Sequence, residues 1–138
     1  MTNRCLNLIA KDHDPVVVGP ADTVRLACDE MAKRRIGAVL VLDGGRLVGI
    51  VTGRDVVRAI ADGCDTTTPV TEVMTPDPDV IACERTAIDA LRMMSDGGYR
   101  HLPIVRDGKL VGIVSRGDFK GLELDRLEEE TSLWERIC

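Results

Sequence analysis

The chain has 138 residues, of which 44% are hydrophobic and 30% charged, and it carries a net charge of −5. These values predict a soluble globular protein, either one ordinary domain or two small modules that share a core. They exclude a membrane-spanning helix, because no apolar run approaches the roughly 20 residues that such a helix needs. The acidic balance also argues against nucleic acid as a partner, since nucleic-acid binding requires a basic face.

The cysteines and the first residues favour a cytoplasmic protein. Cysteines stand at positions 5, 28, 64, 83 and 138, and no two of them have C-x-x-C spacing. A dispersed, odd set suits reduced thiols better than a disulfide framework or a zinc site. The opening residues MTNRCL lack the continuous apolar segment of a secretory signal.

The chain contains an internal repeat. Residues 16–58 align with residues 79–121 without a gap, at an offset of 63. The five residues LVGIV occur at 47–51 and again at 110–114. Self-similarity of this length indicates a duplicated structural unit.

Each copy begins with a short β-rich piece, PVVVGP or PDVIAC, followed by a helix. Thr23 and Thr86 are the expected N-caps of the two helices. Apolar residues then follow at the i, i+3, i+4 and i+7 positions that form one buried helical stripe. They are Val24, Ala27, Cys28 and Met31 in the first copy and Ala87, Ala90, Leu91 and Met94 in the second.

Two strands and a second helix complete each copy. AVLVL and LVGIV in the first copy, and HLPIV and LVGIV in the second, are joined through glycine-bearing turns, which predicts two β-hairpins. AVLVL is apolar at every position, and this indicates burial on both faces. A second helix is expected to begin near residues 53–55 and 116–118, so the predicted order is β-α-β-β-α, twice. Because a unit of about 60 residues buries little surface alone, we expect the copies to pack as a pseudo-twofold pair with a cleft between them.

Two segments lie outside the repeats. Residues 62–78 are rich in Thr, Pro and Asp and are expected to link the copies. Residues 122–138 are acidic and are expected to form a helix. That helix either packs on its own module or contacts a second copy of the chain, with Trp134 as an anchor.

The same short motif follows the second predicted hairpin strand of each copy. It is Thr52-x-x-Asp55 in the first copy and Ser115-x-x-Asp118 in the second. A hydroxyl followed three residues later by an acid is the pattern of a capping box, which needs no ligand. The alternative is a ligand site, because the motifs follow strand ends and open helices. A carboxylate there could accept two hydrogen bonds from the adjacent hydroxyls of a ribose. Arg54 and Arg116 could supply charge for phosphate oxygens.

The segments RRIGAVLVLDGGRLVGIVTGRD and GGYRHLPIVRDGKLVGIVSRGD resemble a pair of CBS (cystathionine β-synthase) domains, also called a Bateman module. The resemblance covers about residues 15–125. It implies an α/β (α+β) fold of tandem β-α-β-β-α repeats packed with pseudo-twofold symmetry. The implied limits are 8–65 for repeat 1 and 72–125 for repeat 2, with a helical tail at 126–138.

The resemblance also implies a function. CBS pairs bind adenosine-containing ligands between their repeats, so an adenine nucleotide, AMP or ATP first, is the expected ligand, with ADP, S-adenosylmethionine and NAD as other members of the class. The chain is then expected to pass ligand occupancy to an unidentified effector protein, to form a homodimer through its CBS modules, and to need no metal.

By the same resemblance, the motif aspartate holds the ribose, the hydroxyl residue and its basic neighbour meet phosphate, and the start of the preceding strand lines the base. These positions are Gly37, Ala38, Thr52, Arg54 and Asp55 in the first copy, and Arg100, His101, Pro103, Ser115, Arg116 and Asp118 in the second. The residue types differ between the copies, so the two sites are not equivalent. The first motif is nearer to the usual form.

An enzyme is not expected. The chain has no Ser-His-Asp arrangement, no H-E-x-x-H, no P-loop and no G-x-G-x-x-G. His13 lies in a polar stretch and is expected to be solvated, and His101 is expected to be structural or base-lining. The interpretation that stays open beside the sensor is a ligand-free dimerisation scaffold.

Overall fold

The structure, a computed structural model, describes residues 4–10 and 14–119. The predictions for His13, for the tail at 122–138 and for most of the second helix of the second copy lie outside these residues. The chain divides into two compact units. The first unit is formed by residues 15–78, and the second by the described residues 4–10 and 14 together with residues 79–119. The predicted repeat limits stay predictions.

The described residues form four α-helices, seven strands and two 3₁₀ turns. In chain order they are α1 (Leu6–Ala10), β1 (Val17–Val18), α2 (Val24–Arg34), β2 (Ala38–Asp43), β3 (Arg46–Thr52), α3 (Gly53–Ala61), a 3₁₀ turn (Val70–Glu72), β4 (Thr75–Pro76), β5 (Ile81–Ala82), α4 (Ala87–Gly97), β6 (His101–Arg106), β7 (Lys109–Ser115) and a second 3₁₀ turn (Arg116–Asp118). This is a mixed α/β fold, and the predicted order β-α-β-β-α is complete in the first copy. In the second copy β-α-β-β is followed by a 3₁₀ turn at Arg116–Asp118, where an α-helix was expected to begin, and Phe119 after it is extended. No helix in the described ranges has the length and apolar character to cross a membrane.

The first unit is built on a four-stranded sheet in the order β1-β2-β3-β4. β1 runs parallel to β2, and the other pairs are antiparallel. Val39, Leu40 and Val41 of β2 are fully buried, which confirms burial on both faces of this strand. The predicted stripe of α2 is buried except at Cys28, which is only half-buried.

The second unit has a three-stranded sheet in the order β5-β6-β7, again with one parallel and one antiparallel pair. All four stripe residues of α4 are buried against it. Leu6 and Ile9 of α1 belong to the same core and are also buried. The N-terminal helix is therefore part of the second unit, although it precedes the first unit in the chain.

The predicted hairpins are confirmed. β2 and β3 are joined by Gly44 and Gly45 with φ of 57° and 84°, and β6 and β7 by Asp107 and Gly108 with φ of 51° and 77°. Two consecutive residues at positive φ match the twist of the flanking strands, and glycine and aspartate tolerate this conformation best.

The predicted helix caps are confirmed as well. The Thr23 hydroxyl accepts a hydrogen bond from the amide of Leu26 at 3.2 Å. The Thr86 hydroxyl accepts one from the amide of Asp89 at 3.4 Å, and the Asp89 carboxylate accepts from the amide of Thr86 at 3.2 Å. α4 thus begins with a reciprocal capping box, which satisfies two amides that the helix leaves without partners.

A short segment crosses the start of the helix in each unit. In the first unit Pro69 forms a β-bridge with Thr23, and in the second Cys5 forms one with Thr86. Residues 62–78 are therefore more than a connector, because part of them folds onto the first unit and supplies β4 to its sheet.

Candidate functional site

The first motif forms a capping box at the start of α3. Thr52 is the last residue of β3 and the N-cap of the helix. Its amide and its hydroxyl both donate to Oδ2 of Asp55, at 2.9 and 3.0 Å. The Asp55 amide donates in return to the Thr52 hydroxyl at 3.3 Å. The capping-box interpretation of this motif is thus confirmed, and the carboxylate is held in one orientation.

The other oxygen of the same carboxylate is also engaged. The Thr75 hydroxyl donates to Oδ1 of Asp55 at 3.1 Å, and Asp55 is only 6% exposed. Each carboxylate oxygen has two lone-pair sites, and the Thr75 hydroxyl takes one of those on Oδ1. Thr75 could not be predicted from the sequence as a partner of Asp55, because it lies in the linker, 20 residues away.

The strand start of the first copy lies beside its motif. Ala38 pairs with Thr52 across the hairpin, and the Gly53 amide donates to the Gly37 carbonyl at 3.3 Å. Ala38 is buried, whereas Gly37 and Arg54 are exposed. The structure therefore brings the predicted residues of the first copy together at one end of the β2–β3 hairpin.

The second motif has the same local geometry with a more open carboxylate. Ser115 is the last residue of β7, and its amide and hydroxyl donate to Oδ2 of Asp118 at 2.6 and 3.1 Å. A 3₁₀ turn follows. Asp118 is half-buried, in contrast to the buried aspartate of the first motif. The capping-box pattern is confirmed here too.

Basic and imidazole groups surround the second motif. His101 pairs with Ser115 across the hairpin, and the Arg116 amide donates to the Arg100 carbonyl at 3.0 Å. Burial and the neighbouring Arg100 guanidinium lower the pKa of His101 from its ordinary 6.5, while the Asp118 carboxylate acts in the opposite direction. His101 is therefore neutral at pH 7 and can accept as well as donate a hydrogen bond.

Pro103 is buried in β6, the middle strand of the second sheet, opposite Ile113. It lies two residues after His101, so both side chains are on the same face of the strand. Its counterpart in the first unit is Leu40, whose amide donates to the Val16 carbonyl at 2.9 Å. Proline has no amide hydrogen, so the second sheet cannot form this bond.

One further residue contacts the second motif. Nη2 of Arg4, in the N-terminal segment, donates to the backbone carbonyl of Asp118 at 2.9 Å. The internal repeat did not indicate a role for Arg4, because Arg4 lies before the aligned residues. Among the described residues no group of three or more His, Cys, Asp and Glu side chains is arranged to hold a metal ion. What the two motifs offer is oriented carboxylates for hydroxyl groups and guanidinium groups for anions.

Comparison with known proteins identifies the fold. The family model of the CBS domain matches residues 9–62 and 70–124. An uncharacterized 17.7 kDa protein of Acidianus ambivalens is 41% identical over 111 residues, which cover 79% of this chain and 67% of that protein. The CBS domain-containing protein YhcV of Bacillus subtilis is 35% identical over 116 residues, covering 83% of this chain and 81% of that protein. The chain spans only 21% of CBSCBSPB3 of Arabidopsis thaliana, to which it is 36% identical.

Solved structures agree with this result. The crystal structure of the CBS domain NE2398 superposes with a TM-score of 0.80 at 33% identity, covering 91% of this chain and 98% of that one. The CBS domain protein PAE2072 from Pyrobaculum aerophilum, complexed with AMP, gives 0.77 at 28% identity, covering 84% and 92%. The CBS domain pair of MJ0100, in complex with 5′-methylthioadenosine and S-adenosyl-L-methionine, gives 0.72 at 25% identity, covering 86% and 97%. The chain belongs to the CBS domain family and carries two CBS domains in tandem.

Proposed function

We propose that this chain is a regulatory module that binds an adenosine-containing ligand at its T/S-x-x-D motifs and passes ligand occupancy to an effector protein. The observation that carries the proposal is the likeness to PAE2072, a CBS domain protein that was crystallised with AMP. The two ligands of the MJ0100 pair also contain adenosine. AMP and ATP are our first candidates, followed by S-adenosylmethionine and NAD.

In this proposal the motif carboxylates bind the ribose. Asp118 is half-buried whereas Asp55 is only 6% exposed, so the second carboxylate is the more accessible of the two to a ligand. The hydroxyl and basic residues of each motif face the phosphate, and the strand starts face the base. The proposed base-lining positions are Gly37 and Ala38 in the first copy and Arg100, His101 and Pro103 in the second.

Regulation follows if the ligand binds one conformation of the module more tightly than another, because only differential affinity shifts a conformational equilibrium. A ligand at about 100 times its Kd stabilises the folded module by about 2.7 kcal/mol. This stabilisation gives a direct screen. We expect AMP or ATP to raise the melting temperature in a thermal-shift assay, with S-adenosylmethionine and NADH tested beside them.

The ribose contact is tested by titration calorimetry on Asp118→Ala. We expect the affinity for AMP to fall by about 1.5–3 kcal/mol, the value of a hydrogen bond to a charged group, which is about ten- to a hundredfold. The penalty should shrink for 2′-deoxy-AMP, which lacks one of the two hydroxyls. The matched control is Asp43→Ala, which removes the same charge from the exposed tip of the first hairpin.

A second function has its own supporting observation. Both motif carboxylates are used in capping boxes, and Asp55 is buried as well. The module could on this basis be a ligand-free dimerisation scaffold, with Val57 and Ile60 of α3, which are 71% and 50% exposed, in the contact. Unchanged melting with every adenosine ligand, together with a dimer in sedimentation equilibrium that Ile60→Ser dissociates, would favour the scaffold over the sensor.

A further inference from the structure

The N-terminal segment is fixed to the second unit by its backbone. The Ala87 amide donates to the Arg4 carbonyl at 2.8 Å, and the Leu6 amide donates to the Arg85 carbonyl at 2.9 Å. The side chain of Leu6 is fully buried in the core of the unit. These contacts hold the segment on both sides of Cys5. The backbone of Arg4, from which its side chain extends, is therefore fixed on the second unit.

From that position the Arg4 guanidinium reaches the second motif, where Nη2 donates to the carbonyl oxygen of Asp118 at 2.9 Å. Two more arginines lie at the same end of the β6–β7 hairpin. Arg116 lies within the motif, and its amide is bonded to the carbonyl of Arg100 at 3.0 Å. Arg116 thus belongs to the motif, Arg100 is joined to it by a backbone hydrogen bond and Arg4 by a side-chain hydrogen bond, in a chain whose net charge is −5.

At the backbone positions that match these three arginines, the first unit has no arginine. The Val24 amide donates to the Thr68 carbonyl at 2.9 Å, so Thr68 occupies the position that Arg4 has in the second unit. Gly37, whose carbonyl accepts from the Gly53 amide, occupies the position of Arg100. Gly53 occupies the position of Arg116, and the exposed Arg54 stands one position later, where the second motif has Gly117. The charge difference between the two copies is thus set by particular residues at matching backbone positions.

We propose that Arg4 of the N-terminal segment completes an anion site for ligand phosphate groups at the second motif, together with Arg116 and with Arg100, whose side chain then binds the phosphate and not the base. Guanidinium groups bind phosphate oxygens through paired, charge-assisted hydrogen bonds, and several around one point favour di- and triphosphates over monophosphates. The identification of the ligand as a nucleotide rests on the function proposed above. The anion site itself does not, because inorganic pyrophosphate presents the same oxygens without adenosine.

The test is titration calorimetry on the full chain with AMP, adenosine and inorganic pyrophosphate. We expect Arg4→Gln to weaken AMP and pyrophosphate about tenfold, the loss of one charged hydrogen bond, and to change adenosine less than twofold. The matched control is Arg25→Gln, which removes an exposed arginine from α2 and should change none of the three by more than twofold. Equal effects of the two variants on pyrophosphate would overturn the proposal.

Two further variants keep the test decisive. Arg4→Lys retains the charge without the planar guanidinium, and we expect it to fall between the wild type and Arg4→Gln. If Arg4→Gln lowers the melting temperature strongly, Arg100→Gln replaces it, because Arg100 is exposed and its side chain can be changed without disturbing the core. We expect the same tenfold loss for Arg100→Gln, and an unchanged affinity for pyrophosphate would contradict the site.

The wild type separates the two proposals. If it binds pyrophosphate in an Arg4-dependent way but none of the adenosine ligands, the sensor function is wrong and the anion site stands. If it binds AMP and both Arg4 variants bind AMP as the wild type does, the anion site is wrong and the sensor function stands. If it binds neither pyrophosphate nor AMP at millimolar concentration, the anion site is wrong.

Discussion

The hydrogen bond from Thr75 to Asp55 joins the linker to the first motif, and its free energy can be measured with a double-mutant cycle. Thr75→Val keeps the shape of the side chain and removes only the donor at 3.1 Å from Oδ1. We expect a loss of about 1.5 kcal/mol in unfolding free energy, the lower end for a bond to a charged acceptor, because Thr75 is at the surface. Asp55→Ala also removes the capping box and should cost about 3 kcal/mol.

Once Asp55 is absent, Thr75→Val should lower the unfolding free energy only slightly. The coupling free energy between the two substitutions should therefore be about 1.5 kcal/mol. Urea unfolding gives the free energies, and hydrogen exchange of the Thr52 amide, which donates to the same carboxylate, reports on the first unit alone. A coupling within about 0.5 kcal/mol of zero, the error of additivity, would refute the reasoning. The Thr75 hydroxyl would then make no net contribution to holding β4 on the first unit.

Three other substitutions test the local structure. Thr86→Ala should destabilise the second unit by about 1 kcal/mol in urea, because it removes the cap of α4, whereas Thr86→Ser should be close to the wild type; equal stability of the Ala variant would contradict the capping box. His101 has a pKa below 6.5 in the folded state, so the unfolded state binds more protons as the pH falls. The free energy of unfolding should therefore be at its full value above about pH 6.5 and decrease on acidification. His101→Gln should flatten this decrease when the free energy of unfolding is measured between about pH 5.5 and 7.5. Identical slopes for both proteins would contradict the lowered pKa of His101. Gly49→Ala places a methyl group against the Met74 side chain and should lower the free energy of unfolding by about 1–3 kcal/mol. Met74→Ala in the same chain should recover part of that loss. Unchanged stability of Gly49→Ala would show that β4 does not pack there.

Features that depend on local chemistry could be predicted from the sequence. The two hairpins were visible as glycine-bearing turns between β-branched runs, since few residues other than Gly, Asn and Asp tolerate two successive positive φ values. The caps at Thr23 and Thr86 were visible because an N-cap requires a short side-chain acceptor before an apolar helical stripe. The burial of β2 followed from its unbroken apolar run. Each of these is decided within about ten residues of chain.

Contacts between distant residues could not be predicted in the same way. Arg4 of the second unit occupies the backbone position that Thr68 has in the first, but it lies 64 residues before Thr68, whereas the repeat places counterparts 63 residues later, so the alignment of the copies does not reveal the pair. The residue types of the motif also do not predict how deeply its aspartate is buried. Asp55 is buried and Asp118 is half-buried, although both follow a hydroxyl residue at the same spacing. The partner of Asp55 outside its own motif, Thr75, comes from a linker whose composition predicts only a turn-rich connection.

The attachment of residues 4–10 to the second unit has a consequence for a chain cut by a protease. A single cleavage near residue 14 would leave the N-terminal peptide in place, because Leu6 and Ile9 are anchored in the core and the backbone of the peptide is bonded to residues 83–87. Such a nicked protein would migrate as one species in its native state and separate into two pieces only on denaturation. A synthetic peptide with the sequence of residues 1–14 should then rebind to the truncated protein, as in fragment complementation.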